Sequence, residues 1–173
     1  MTDVDYSLKI ITLGESGVGK TKILVRYKDN IYEDSNIATI GVECKYKIIK
    51  YEKKSIKLLM YDTAGQEKFK SIVSNYYNNT DGVILVYDIS NERSFSKIQY
   101  WINEIKSNSN IDNSTFILFG NKNDLEEERK VSFEEGKEYA EQNRFQFLEG
   151  SAKTGNNIKE LFTMLVKNIM KKR

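Results

Sequence analysis

The chain has 173 residues, 39% of them hydrophobic and 30% charged, enough for one domain with a sizeable core. A net charge of +2 builds no strong field for a polyanion, so no nucleic-acid partner is expected. One cysteine, Cys44, excludes an intrachain disulfide and fits a reducing compartment, and the absence of histidine excludes His-based catalysis.

The polar, acidic residues 1–6 do not form a signal peptide, and no apolar run reaches the ~18–20 residues that span a bilayer. Leu8-Lys9-Ile10-Ile11-Thr12-Leu13 reads as a short apolar strand, and Lys22-Ile23-Leu24-Val25-Arg26-Tyr27 continues as a helix. Between them stands Gly14-Glu15-Ser16-Gly17-Val18-Gly19-Lys20-Thr21, which fits G-x-x-x-x-G-K-[ST] in its required strand–loop–helix setting. Glycines there let backbone N–H groups turn inward on a polyphosphate, with the helix N-terminus adding about half a positive charge. Lys20 reaches β- and γ-phosphates, and the Thr21 hydroxyl is suited to Mg²⁺.

Residues 29–41 are polar and without period, which predicts a loop ordered by its ligand. Thr39 in it offers a hydroxyl and an N–H to Mg²⁺ and γ-phosphate. Val42, Cys44, Tyr46 and Ile48 then alternate with Glu43, Lys45 and Lys47. After a turn at Tyr51-Glu52-Lys53-Lys54-Ser55 comes Ile56-Lys57-Leu58-Leu59-Met60-Tyr61. This predicts a hairpin whose first strand is a lysine-protected edge. Val83-Ile84-Leu85-Val86-Tyr87, Phe116-Ile117-Leu118-Phe119 and Phe145-Gln146-Phe147-Leu148 read as strands. Near-continuous apolar runs of this kind predict an α/β, doubly wound, mostly parallel sheet with helices on both faces. Phe95, Ile98, Trp101, Ile102 and Ile105 share one helix face. Ser132-Phe133-Glu134-Glu135 is a capping box opening a helix to about Gln142. Ile158, Leu161, Phe162, Leu165, Val166 and Ile169 stripe the last helix.

Three further motifs follow strands. Asp62-Thr63-Ala64-Gly65-Gln66-Glu67 sets an acidic residue where it can hold Mg²⁺, a glycine whose N–H can approach a γ-phosphate, and a glutamine able to orient a water. Asn121-Lys122-Asn123-Asp124 suits guanine. The Asp124 carboxylate accepts from N1–H and the exocyclic amine, Lys122 lays its stem over the base, and Asn121 ties neighbouring loops. Ser151-Ala152-Lys153 offers a backbone N–H to the guanine carbonyl.

In this order the motifs resemble those of the Ras superfamily of small GTPases. Ile40-Gly41-Val42-Glu43, Tyr76-Tyr77 and Leu85-Val86-Tyr87-Asp88-Ile89 resemble the Rab branch, from Ser7 to about Met170. The resemblance implies a P-loop small G-domain with six strands and one antiparallel edge. It implies one domain over 1–173, with a 7–170 core and a basic tail starting at 171–173. The implied activity is a slow GTPase switch in vesicle traffic, cycling as a monomer between cytoplasm and the cytosolic face of endomembranes. The implied contacts with nucleotide are Glu15, Ser16, Gly17, Val18, Gly19, Lys20, Thr21, Lys22, Tyr32, Thr39, Gly65, Asn121, Lys122, Asp124, Ser151, Ala152 and Lys153. Mg²⁺ falls to Thr21, Thr39 and Asp62, and catalysis to Gln66 and Lys20. Effectors would meet Ile40-Gly41-Val42-Glu43-Cys44 and residues 62–77, and an exchange factor, an activating protein and a dissociation inhibitor are further partners.

Four aromatic positions depart from the Rab pattern, and Gly150 stands for Thr before Ser151-Ala152-Lys153. Cys44 and Tyr61 stand where Phe and Trp are usual in an aromatic triad that Tyr76 completes. Tyr32 stands for the Phe that leans on guanine, and Asn36 for the aromatic over the γ-phosphate. The chain ends Lys171-Lys172-Arg173 without the prenylated cysteine of that branch, which reads as a trimmed core or, alternatively, as a chain that is not lipidated. Two other classes remain open on the phosphate loop alone. A P-loop kinase would need an arginine-rich lid, whereas Arg26, Arg93, Arg129, Arg144 and Arg173 are scattered. A module that merely holds nucleotide would have no use for Gln66 and Thr39.

Overall fold

A computed structural model describes residues 3–35, 37–65 and 69–173. Among the described residues there are six strands: β1 (Tyr6–Leu13), β2 (Val42–Tyr51), β3 (Lys54–Thr63), β4 (Gly82–Asp88), β5 (Thr115–Asn121) and β6 (Gln146–Glu149). They lie in the order β2-β3-β1-β4-β5-β6, with β2 antiparallel to β3 and every other pair parallel. The helices are α1 (Lys20–Asp29), α2 (Lys70–Ser74), α3 (Glu92–Ser96), α4 (Ile98–Asn108), α5 (Phe133–Gln142) and α6 (Ile158–Lys171).

Period-two alternation splits the core into two layers. Leu8, Ile10, Met60, Ile84, Val86, Ile117 and Phe119 face α1 and α6, whose Ile23, Leu24, Leu161, Phe162 and Leu165 are fully buried. Ile11, Leu13, Val83, Leu85, Tyr87 and Leu118 face the other way, onto Val73, Ile98, Trp101, Ile102 and Ile105. The strand order reverses around β1, whose neighbours are β3 and β4. The crevice beyond its C-terminal end is therefore the topological switch point where open α/β sheets bind ligands.

Local chemistry explains most boundaries. Ser132 and Glu135 form the reciprocal capping box expected of α5, with bonds of 3.1 and 2.8 Å. The face expected to run from Phe95 to Ile105 is divided, because the Asn91 side chain caps α3 by accepting from Ser94 N–H and the chain restarts as α4 after Lys97. Phe95 stays near the core through edge contacts with Tyr87 and Tyr139. The hairpin turn is tighter than expected, with Tyr51 already paired to Lys54.

The edge strand inverts the usual arrangement. Lys45 and Lys47 are half-buried, while Cys44, Tyr46 and Ile48 are exposed. Lys47 explains the reversal on its side, since its ammonium donates to the Tyr27 carbonyl at 2.7 Å and sits 4.4 Å from the Tyr27 ring centre.

Candidate nucleotide-binding site

The loop after β1 is shaped by its glycines. Gly17 and Gly19 hold φ of 83° and 100°, in the left-handed region that side chains disfavour. Gly19 opens α1 in that conformation, without a side-chain cap and with no acidic residue in the first turn. The first N–H groups and the positive end of the dipole are thus left for an external anion. A Cβ on Gly19 would strike the Asn121 amide, and one on Gly65 would strike the backbone of residues 14–16. These two glycines are required by close approach.

Lys20 is buried at 6% exposure and donates to the carbonyls of Gly14 at 2.8 Å and Glu15 at 2.9 Å. Burial pulls its ammonium down to about 8, against the pull of Asp62 and Glu15 in the other direction. On the next residue, the Thr21 hydroxyl donates to Asp62 Oδ2 at 2.6 Å and lies 2.7 Å from the Thr39 hydroxyl. Asp62 is fully buried, and burial raises its carboxyl above the ordinary range although the Thr21 bond and Lys20 oppose it. Its Oδ1 has no hydrogen-bond partner among the described residues.

The other end of the crevice is knitted by Asn121. This side chain, 2% exposed, donates to the Val18 carbonyl at 2.8 Å and accepts from Ala152 N–H at 3.2 Å. Asp124 is exposed, with Oδ1 accepting from the Ser151 hydroxyl at 2.6 Å. Lys122 takes φ of 66°, and its ammonium bridges the Gly17 carbonyl at 2.8 Å and Asp88 at 2.9 Å. Its stem is thereby stretched across the crevice. Lys22 lies 5.1 Å from the Tyr32 ring centre.

A cleft of about 410 Å³ joins these groups. Ser16, Gly17, Gly19, Lys20, Thr21, Lys22, Tyr32, Thr39, Gly65, Asn121, Lys122, Asp124, Ser151, Ala152 and Lys153 all line it. The side chains of two further expected contacts, Val18 and Glu15, are engaged elsewhere. The Val18 side chain is buried in the core, which leaves only its backbone for the loop. Glu15 accepts from the indole N–H of Trp101 at 3.1 Å. Gln66 and Asn36 lie outside the described residues.

Three participants escaped the sequence reading. Trp101 on α4 holds Glu15, and Asp88 at the end of β4 anchors Lys122. Arg26 on α1 grips the Ala152 carbonyl at 2.8 Å and the Lys153 carbonyl at 2.5 Å. Asp88 alone left a trace, as a polar residue at a strand's carboxyl end.

The donor set fits a hard divalent cation. Two hydroxyls and a buried carboxylate with a bare oxygen suit Mg²⁺, which takes few protein ligands and completes its shell with water and phosphate. Among the described residues no cluster of three or more His, Cys, Asp or Glu competes as a metal site.

Strand order, loop and cleft define a P-loop nucleotide-hydrolase domain of the small G-domain class. Residues 9–171 match the model of the Ras family. The chain is 44% identical over 173 residues to Ras-related protein Rab-1 of Theileria parva, covering 99% of this chain and 78% of that protein. It is 45% identical over 168 residues to Ras-related protein Rab-3A of Homo sapiens, covering 97% and 76%. Against Ras-related protein RABD2a of Arabidopsis thaliana the identity is 40% over 167 residues, covering 96% and 82%. The chain belongs to the Ras family, in its Rab branch: it is a small GTPase, an enzyme that hydrolyses GTP and acts in membrane traffic. Members of this family bind guanine nucleotide with Mg²⁺ and work with effectors and regulators.

Proposed function

We propose that the cleft times the switch by residue roles as follows. The N–H groups of residues 15–22 and the Lys20 ammonium hold the β- and γ-phosphates, an arrangement supported by the uncapped N-terminus of α1. Thr21, Thr39 and Asp62 hold Mg²⁺, whose chemistry when bound is to neutralise charge growing on the phosphate oxygens. Gly65 brings its N–H to the γ-phosphate, and Gln66 orients the attacking water. At the base end Asp124 accepts from guanine, Ser151, Ala152 and Lys153 offer the carbonyl contact, and Lys122 and Tyr32 cover the ring.

One observation carries this reading. Thr21, Thr39 and Asp62 come from three separate segments, yet their side chains meet within 2.7 Å beside Lys20. Thr39 belongs to the loop between α1 and β2, so a γ-phosphate that engages it orders the loop, and its loss on hydrolysis releases it. That loop carries Ile37 and Ile40, both largely exposed. Together with Cys44, Tyr61 and Tyr76, whose two rings lie 5.7 Å apart, it forms the effector surface. A surface that presents a thiol and a phenol in place of two large apolar rings selects more polar effectors. The chain acts in the cytoplasm and at the cytosolic face of endomembranes, as a monomer met by an exchange factor, an activating protein and a dissociation inhibitor.

The test is single-turnover hydrolysis of pre-bound GTP. Gln66→Leu is expected to retain GTP and release phosphate about 100-fold more slowly, the lower end of the range for a positioned proton-transfer partner. Equal rates in wild type and variant would remove Gln66 from the mechanism.

A further inference from the structure

The opposite end of the sheet holds a second cavity, of about 720 Å³, where β5 and β6 begin and α6 ends. Thr115 lies at its wall and Asn121 at the nucleotide cleft, both on β5. Six steps of about 3.3 Å separate the two sites by roughly 20 Å.

Its charge is distinctive. Lys106 comes from α4, Arg144 from the segment between α5 and β6, and Lys171 and Lys172 from the end of α6. Among the described residues the one carboxylate in the lining is Asp112, so four cations against one anion concentrate more positive charge here than the +2 of the whole chain. Among the described residues none of the four cations has a carboxylate within ion-pair distance. Neighbouring Arg173, by contrast, pairs with Asp81 at 2.6 Å. Charge at a helix C-terminus accounts for a lysine on α6, but not for Lys106 and Arg144, which arrive from other elements.

The walls add a second requirement. The rings of Phe116 and Phe145 stack 4.9 Å apart, both half-buried in the lining. The Thr115 hydroxyl beside them is buried without a partner among the described residues. Lys172 is fixed at the rim by a 3.2 Å bond to the Ser114 carbonyl, which occupies one of its three protons.

We propose that this cavity binds a phosphate ester carrying at least two negative charges, its carbon skeleton resting on Phe116 and Phe145 and its phosphates among Lys106, Arg144, Lys171 and Lys172. Unpaired cations drawn from three elements supply the attraction, and the stacked rings supply a flat apolar seat. A lipid headgroup and a free phosphorylated polyol share this chemistry.

The test uses the full chain with two probes: inositol trisphosphate in solution, and phosphatidylcholine vesicles with and without phosphatidylinositol monophosphate. Arg144→Glu and Lys106→Glu are each expected to weaken binding about tenfold or more, as for removal of a charge-assisted contact. Lys53→Glu, an equal charge change outside the cavity at the turn between β2 and β3, is expected to leave it unchanged. Loss on the soluble probe assigns a free ester. Loss seen only on headgroup-containing vesicles assigns a lipid. Guanine-nucleotide exchange, read roughly 20 Å away, verifies that each variant is folded. No binding to either probe overturns the proposal, as does binding that Lys53→Glu weakens as much as the cavity variants do.

Discussion

Asn121 is the most economical place to break the nucleotide site. Its side chain meets the Val18 carbonyl and the Ala152 N–H, two backbone groups 134 residues apart in the chain, at 2.8 and 3.2 Å. Replacing it with alanine leaves both groups buried without partners. Each costs about 1–3 kcal/mol when unsatisfied, and partial entry of water brings the sum to about 2–4 kcal/mol. For a domain of this size that lowers Tm by about 5–15 °C. The same bonds hold the phosphate loop against the Ser151-Ala152-Lys153 loop, so nucleotide dissociation should also accelerate, by about tenfold for each 1.4 kcal/mol lost in the loaded state. Urea unfolding of the nucleotide-free protein and release of a fluorescent GDP analogue measure the two effects. Asn123→Ala is the control, because its 3.0 Å bond to Asn156 is exposed and its loss should cost under about 0.5 kcal/mol. If Asn121→Ala and Asn123→Ala unfold at the same urea concentration and release nucleotide at the same rate, the reasoning about Asn121 is wrong.

Three further outcomes follow from the geometry. Thr21→Asn removes the hydroxyl that joins Asp62 and Thr39, so Mg²⁺-dependent retention of GTP should fall about 10–100-fold, checked by release rates across a Mg²⁺ titration. Tyr87 is fully buried with a hydroxyl unpartnered among the described residues; Tyr87→Phe should be neutral or stabilising within about 1 kcal/mol, and a marked loss on urea unfolding would contradict that assignment. Burial pushes the Tyr27 phenol up to about 12, against about 10 in the unfolded chain. The folded protein keeps that proton longer, so this stability is complete below pH 10 and is lost as pH rises towards 12. Tyr27→Phe should show a shallower loss across that window in pH-dependent urea midpoints.

The legible parts of this protein are those written in local spacing. The phosphate loop, the capping box of α5 and the apolar stripe of α6 each lie within one element and its caps, and their backbone consequences are short-range. The Asn121 motif was legible for a related reason, since it begins at the last residue of an apolar strand. What escaped is long-range. Trp101 meets Glu15 across 86 residues, and Lys122 meets Asp88 across the β4–β5 pair, with no periodicity to announce either. The helix break at Lys97 was hidden because Phe95 still reaches the core despite the new start at Ile98. On β2 the alternation was visible, but its direction depended on Lys47 finding Tyr27, a tertiary event that reverses which face is covered.

The bond between Trp101 and Glu15 has an optical consequence. The chain contains a single tryptophan, so its ultraviolet emission above the tyrosine band comes from one indole. That indole is 1% exposed and gives its N–H to a carboxylate on the phosphate loop. A carboxylate moving at this distance changes the field across the excited ring, so any rearrangement of the loop shifts the colour or yield of the emission. The protein therefore carries its own dye at the point where loading and unloading are felt, and its cycle can be followed without a label.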